Sequence, residues 1–204
     1  MIDNDIRQKL ETYAKLLETW QKKMNLVSPS TIPVMWERHF EDSLQLLPYI
    51  DQNVSRETFS PLKLIDLGSG AGFPGLVLAI ARPKTLDVTL IESDLKKCLF
   101  LENVSRETFS PVRLLRSRIE AVKDLKADIV TARALASLDQ LLNYAFPFLK
   151  EDSTCFFLKG KTADEEIQMA KKSWDFELEI FPSLTDSTGR ILKISHLQRA
   201  GPHV

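Results

Sequence analysis

Apolar residues recur at three- and four-residue steps near the start of the chain. Ile6, Leu10, Tyr13, Leu17, Trp20 and Met24 fall on one face of a predicted helix. A second helix is predicted over 33–47, with Met35, Trp36, Phe40, Leu44 and Leu47 on its apolar side, and residues 25–30 between the two read as a turn. Two short amphipathic helices cannot bury both apolar faces alone. Residues 1–50 are therefore predicted to form a helical cap packed on a second unit, 51–204.

The pattern changes at residue 62. Short β-branched and aliphatic runs at 62–67, 88–92, 112–115, 128–131, 154–158, 178–181 and 191–194 read as strands, with helical stretches at 76–82, 95–105 and 138–149. Alternating β and α elements predict an α/β fold with a mostly parallel, Rossmann-like sheet of seven strands. The short link between the last two runs predicts a closing antiparallel hairpin. The nonapeptide Asn-Val-Ser-Arg-Glu-Thr-Phe-Ser-Pro occurs at both 53–61 and 103–111. Its similarity does not extend over a whole supersecondary unit, so it reads as local duplication of strand-leading sequence rather than a repeat architecture.

Composition narrows the function classes. Apolar residues make up 44% and charged residues 27% of 204, which excludes fibrous and disordered chains, and a net charge of -1 requires any basic binding surface to be local. Cys98 and Cys155 stand far apart and no zinc-ligand spacing occurs, so no metal is expected. Both thiols read as small core residues in a reducing compartment. The acidic N-terminus is unlike a signal peptide, and the longest uncharged run is too short to span a bilayer. A cytoplasmic protein is expected, with no membrane association.

Glycine carries the strongest signal. The chain has 7, and Gly68, Gly70, Gly72 and Gly75 fall within eight positions after the first predicted strand. Such a loop turns with positive φ and lets a ligand approach the backbone. Glu92 ends the second strand, where an acid accepts hydrogen bonds from a ribose. Counted from Gly68, the third glycine of a dinucleotide fingerprint is replaced by Phe73, which obstructs the approach of a pyrophosphate. Asp66, just before the glycines, favours a cationic, amino-acid-bearing cofactor instead, and S-adenosylmethionine has that character. No Gly-Lys-Ser/Thr follows, which excludes a Walker loop.

Methyl transfer from a sulfonium needs an aligned nucleophile and little else. Exocyclic amines are methylated beside an Asp/Asn-Pro-Pro-aromatic loop after the fourth strand, where this chain reads Asp-Ile-Val-Thr-Ala-Arg-Ala at 128–134. Carbon-5 methylation needs a cysteine nucleophile, and neither Cys98 nor Cys155 is in the expected loop. A ring nitrogen with a free lone pair, such as guanine N7, needs neither device. A small-molecule or protein acceptor, and a non-enzymatic cofactor sensor, are the rival readings.

The segments Trp-Glu-Arg-His-Phe-Glu-Asp-Ser-Leu at 36–44, 66–75, Ile-Glu-Ser at 91–93 with Lys96 and Lys97, Arg-Ile-Glu at 118–120, Thr-Ala-Arg-Ala at 131–134 and Leu-Lys-Gly at 158–160 occur in that order. Together they resemble the glucose-inhibited division protein B family (RsmG), bacterial 16S ribosomal RNA guanine-N7 methyltransferases, over nearly the whole chain. The resemblance implies a class I methyltransferase fold, S-adenosylmethionine as cofactor and a guanosine in a decoding-region loop as target. Gly68, Phe73, Ile119, Glu120 and Arg133 match the family's cofactor-contacting positions, and Asp66, Gly70, Gly72 and Glu92 complete the expected cofactor set.

Arg133, after the fourth strand, is placed to orient the base or bind the cofactor carboxylate, and Lys159 at the end of the fifth to position substrate. Arg38, His39, Lys96, Lys97, Lys159, Arg190, Lys193 and Arg199 are the candidate RNA contacts, with pairing of Arg38 and Asp42 at i,i+4 as the alternative use of Arg38. The N7 edge faces the narrow major groove of A-form RNA, so the target must be unpaired or extruded. The expected partner is 16S rRNA within the 30S subunit or an assembly intermediate, bound by a monomer.

Overall fold

The computed structural model describes residues 2–52 and 60–201. Seven strands form one sheet: β1 (Leu62–Leu67), β2 (Leu86–Glu92), β3 (Arg113–Arg116), β4 (Ala127–Arg133), β5 (Leu149–Lys159), β6 (Trp174–Pro182) and β7 (Arg190–Arg199), in the spatial order β3-β2-β1-β4-β5-β7-β6. The first five pair in parallel. β7 enters antiparallel between β5 and β6, which makes the expected closing hairpin. Chain order reverses between β1 and β4, and in an open α/β sheet the crevice beyond the strand ends at such a point is where ligands bind.

Among the described residues seven α-helices accompany the sheet: α1 (Asn4–Gln21), α2 (Asp42–Leu44), α3 (Leu47–Asp51), α4 (Gly75–Ala81), α5 (Leu95–Glu107), α6 (Leu138–Ala145) and α7 (Ala163–Ala170). The Asp3 carboxylate caps α1 by accepting the Ile6 N–H at 2.9 Å, and Asp94 caps α5 by accepting that of Lys97 at 3.0 Å. No helix among the described residues is long and apolar enough to cross a membrane.

α4 is decisive for the layering. Its sequence, Gly-Leu-Val-Leu-Ala-Ile-Ala, is apolar all round and every residue is buried. A helix without a polar face must be covered on every side. The sheet covers one side, and α1, α2 and the turn just before α2 cover the other, with Leu10, Tyr13 and Leu17 from α1 and Phe40 from that turn forming one apolar cluster with Leu76 and Leu101. A second cluster on the opposite sheet face joins α6 and α7 to Phe157 and Trp174. Both cysteines are buried, Cys155 in β5 with its thiol pushed up to about 12 by burial.

Several predicted elements differ from those observed. The single helix expected over 33–47 is instead a 3-10 segment (Pro29–Val34), a π-helical stretch (Trp36–Glu41), α2 and then α3. Pro33 sits inside the first piece and Pro48 opens the last, where a missing N–H is tolerated. The helix expected over 138–149 stops at Ala145, because Pro147 tightens the chain into a 3-10 turn before β5. α7 was not singled out by the sequence pattern. The nonapeptide at 103–111 is not strand-leading sequence alone: it ends α5 and turns through Phe109 at φ 49°. Residues 53–59 of the other copy lie outside the described residues.

The cap and glycine loop are joined by Tyr13, whose hydroxyl donates to the Ala71 carbonyl while its ring stacks on Phe73 at 5.4 Å. Tyr13→Phe keeps the ring and strands the carbonyl, so it should lower unfolding free energy by about 1–3 kcal/mol in a urea titration; unchanged stability would remove this bond from the cap's attachment.

Candidate functional site

β1 ends in a loop in which Gly68, Gly70 and Gly72 turn with positive φ, and two of them show what the residue type is for. A Cβ at Gly70 (φ +58°) would meet nothing nearer than the Gly68 carbonyl oxygen at 3.8 Å, so the missing side chain leaves open space over the cleft. A Cβ at Gly72 (φ +93°) would strike the Tyr13 hydroxyl and stand 3.0 Å from both Leu101 and Leu76. Gly70 serves the cleft, whereas Gly72 serves the seating of the cap.

Glu92, at the end of β2, is held by two backbone donors. Its Oε2 accepts the Gly70 N–H at 2.9 Å and its Oε1 accepts the Asp94 N–H at 2.8 Å. The loop is fastened to the same strand end by Ser69 N–H donating to the Ile91 carbonyl at 3.0 Å, and β3 by Ser117 N–H donating to that of Glu92 at 3.0 Å. These contacts shape a cleft of about 730 Å³ whose lining includes Gly68, Gly70, Phe73, Glu92, Ile119, Glu120 and Arg133. Gly160 also lines it, and a Cβ there would meet nothing within 4 Å. The open space over Gly70 and Gly160 and the fixed Glu92 carboxylate suit a nucleoside with free ribose hydroxyls.

Arg133, at the end of β4, forms the wall facing the cap. Its Nη1 donates to the Arg38 carbonyl at 2.9 Å and to Asp42 Oδ2 at 3.1 Å, and its Nη2 donates to His39 Nδ1 at 3.0 Å. The guanidinium carbon lies 5.0 Å from the centroid of Phe73, on which the His39 ring also stacks at 4.9 Å. Because arginine only donates, His39 Nδ1 accepts, and its Nε2–H points to Thr31 Oγ1 at 2.8 Å. Burial, then the charges of Arg133 and Arg38, push the imidazole down to about 3, so it is neutral at physiological pH.

The remaining expected residues separate by location. Arg38, Lys97, Lys159 and Arg190 line the cleft, as does His39. His39, neutral and bonded through both nitrogens, has no charge to offer a phosphate. Lys159 is paired with Glu166 at 2.6 Å and donates to the Ala136 carbonyl at 2.8 Å. Arg38 pairs with Asp186 at 2.9 Å rather than with Asp42, which instead takes Arg133. Lys96 is not in the lining, and Lys193 pairs with Glu179 at 2.6 Å along the hairpin. Arg199 lies beside Trp174 at the sheet edge away from the cleft, since β7 runs antiparallel and its other end, Arg190, pairs with Lys159.

Asp66 and Gly72, both expected at the cofactor, do not line the cleft. Asp66 is completely buried beneath the loop, with Oδ1 accepting from Thr131 Oγ1 at 2.7 Å. The pleat turns its side chain inward, against Gly75 at the start of α4. Asp42 and Arg118 line the cleft and were not among the expected site residues; the signal for Asp42 was its place in the Arg-His-Phe-Glu-Asp run of the cap.

Burial raises the Asp66 carboxyl to about 6 from the usual carboxylate range. A carboxyl whose folded pKa lies above its unfolded one contributes stability that is full below about pH 4 and is lost as pH rises through about 6. In denaturant titrations across this window, Asp66→Asn should remove that loss; an identical pH slope in the variant would show that Asp66 is ionised throughout.

Comparison with known proteins agrees with this geometry. The family described as rRNA small subunit methyltransferase G (GidB) matches residues 6–191. A protein of that name from Paramagnetospirillum magneticum is 47% identical over 198 residues, covering 97% of this chain and 92% of the relative. The one from Gluconobacter oxydans is 46% identical over 198 residues, covering 97% of both chains. Among solved structures, the ribosomal protein L11 methylase of Lactobacillus delbrueckii subsp. bulgaricus shares the fold at a TM-score of 0.58 and 20% identity, over 75% of this chain and 77% of that one. The sheet is that of class I methyltransferases, the match runs through cap and sheet alike, and the chain belongs to the small-subunit rRNA methyltransferase G family.

Proposed function

We propose that this protein transfers a methyl group from S-adenosylmethionine to N7 of a guanosine in a decoding-region loop of 16S rRNA, acting as a monomer in the cytoplasm on the 30S subunit or an assembly intermediate. The observation that carries the reading is the cleft at the β1–β4 reversal, where the Gly70 amide fixes Glu92 on one side and the cap fixes Arg133 on the other. Glu92 would hold the ribose hydroxyls, Gly68 and Gly70 the close-approaching chain of the ligand, Ile91 and Ile119 its apolar base, and Arg133 its carboxylate. When bound, the cofactor supplies an electrophilic methyl group on a positively charged sulfur.

The residues on the Arg133 and Lys159 side of the cleft favour an acceptor that needs no deprotonation. His39 and Asp42 have the right chemistry for a general base, but both are committed to Arg133. Glu166 is likewise committed to Lys159. Guanine N7 carries a lone pair and no proton at neutral pH, so nothing has to be abstracted. The residues' work is to bind, align and exclude water.

Charge around the cleft supports an RNA partner. Lys97, Arg118 and Arg190 line it without a carboxylate partner within ion-pair distance among the described residues. These cations are free to meet phosphates, whereas Arg133 and Lys159 are held in place. Incubating the protein with labelled S-adenosylmethionine and undermethylated 30S subunits should give 7-methylguanosine in 16S rRNA, read by nucleoside mass spectrometry; label on another atom or none at all would contradict the proposal. Arg190→Glu should weaken 30S binding and flatten its salt dependence by about one unit in the log–log slope; a wild-type slope would take Arg190 off the RNA surface.

A further inference from the structure

We propose that His39 and Asp42 are positioning residues for Arg133, orienting its guanidinium so that two N–H groups face the cleft. The inference rests on the methyltransferase reading for what the cleft holds, but the relay itself is a matter of donors and acceptors. A guanidinium has five N–H donors in a fixed plane. Three are used by the cap: two on Nη1, to the Arg38 carbonyl and Asp42 Oδ2, and one on Nη2, to His39 Nδ1. Among the described residues the Nε–H and the second Nη2–H have no acceptor, and Arg133 lines the cleft. Two donors in one plane suit the paired oxygens of a carboxylate.

The orientation is fixed from behind. His39 can accept from Arg133 only in the tautomer with its proton on Nε2, and Thr31 selects that tautomer by accepting the Nε2–H at 2.8 Å while its own hydroxyl donates to the Ser28 carbonyl at 2.7 Å. A proton on Nδ1 would confront the guanidinium with a second donor. Asp42 is fixed in the same way, its Oδ1 accepting from Thr185 Oγ1 at 2.8 Å and from Gln45 Nε2 at 2.8 Å, which leaves Oδ2 for Arg133. The Arg38 carbonyl and His39 lie in the π-helical stretch Trp36–Glu41, and Asp42 follows it directly as the first residue of α2; such winding recurs at functional sites. Burying so many polar groups merely to attach the cap is costly in comparison with the apolar contacts beside them.

A double-mutant cycle tests this, with S-adenosylhomocysteine affinity by calorimetry as the first readout and the rate of 7-methylguanosine formation on 30S subunits as the second. His39→Phe keeps the ring stack on Phe73 and removes the acceptor. Arg133→Ala should weaken S-adenosylhomocysteine binding at least tenfold and His39→Phe three- to tenfold, and the double variant should bind no more weakly than Arg133→Ala alone. His39→Asn, which restores an acceptor near Nδ1, should return affinity to within twofold of wild type, and Thr31→Val, which leaves His39 intact, should weaken it two- to threefold. Equal losses from His39→Phe in both backgrounds, or failure of His39→Asn to rescue, would mean that His39 only supports the fold and would overturn the proposal. So would an Arg133→Ala variant that binds as wild type does. Because the first readout needs no RNA, it tests the relay even where the second finds no 7-methylguanosine, an outcome that would overturn the RNA reading instead.

Discussion

A guanidinium withdrawn from water must find acceptors for its N–H groups, and at Arg133 the cap supplies them. The Arg38 carbonyl, His39 Nδ1 and Asp42 Oδ2 all come from one turn of the N-terminal segment, while Arg133 itself ends β4. The cap is therefore part of the cleft wall as well as a cover for apolar surface. Its loop-side partner is Phe73, which carries the His39 ring and lies beneath the Arg133 guanidinium. Where a dinucleotide-binding loop has glycine, this chain has a ring that supports a cation.

A second constraint, the covering of apolar surface, explains the layering. α4 follows the glycine loop directly and has no polar face, so it must be covered. The cap covers it, with Tyr13 reaching over Gly72 to the Ala71 carbonyl. Loop, helix and cap are consequently one unit: the small residue that lets Tyr13 in is also part of the run that opens the cleft above Gly70. On the far side, Gln45 Nε2 donates to Ser183 Oγ, its Oε1 accepts the Leu184 N–H, and Arg38 pairs with Asp186, so the closing hairpin is fastened to the cap as well.

Features encoded in short stretches were legible in the sequence. All seven strands, the glycine loop and the acid at the end of β2 follow from short β-branched and aliphatic runs and from residue types whose meaning is local. Features set by distant partners were not. The choice of Asp186 over Asp42 by Arg38 depends on how the β6–β7 hairpin docks, across 148 residues. The inward turn of Asp66 depends on the pleat of β1, which spacing alone does not orient relative to a ligand. The winding of residues 36–41, which carries the Arg38 carbonyl and His39 to Arg133, departs from the simple 3.6-residue period read over 33–47. His39 shows the limit most plainly: its basic side chain suggested phosphate, and its burial between two arginines makes it a neutral acceptor.

The most direct measurement is a structure of the protein with S-adenosylhomocysteine bound. The ribose hydroxyls should lie on the Glu92 carboxylate and the ligand's carboxylate on the Nε–H and Nη2–H of Arg133, with the bonds from Arg133 to His39 and Asp42 unbroken. A ligand seated elsewhere, or an Arg133 that leaves His39 and Asp42 to reach it, would contradict the claim that the cap completes the methyl-transfer cleft.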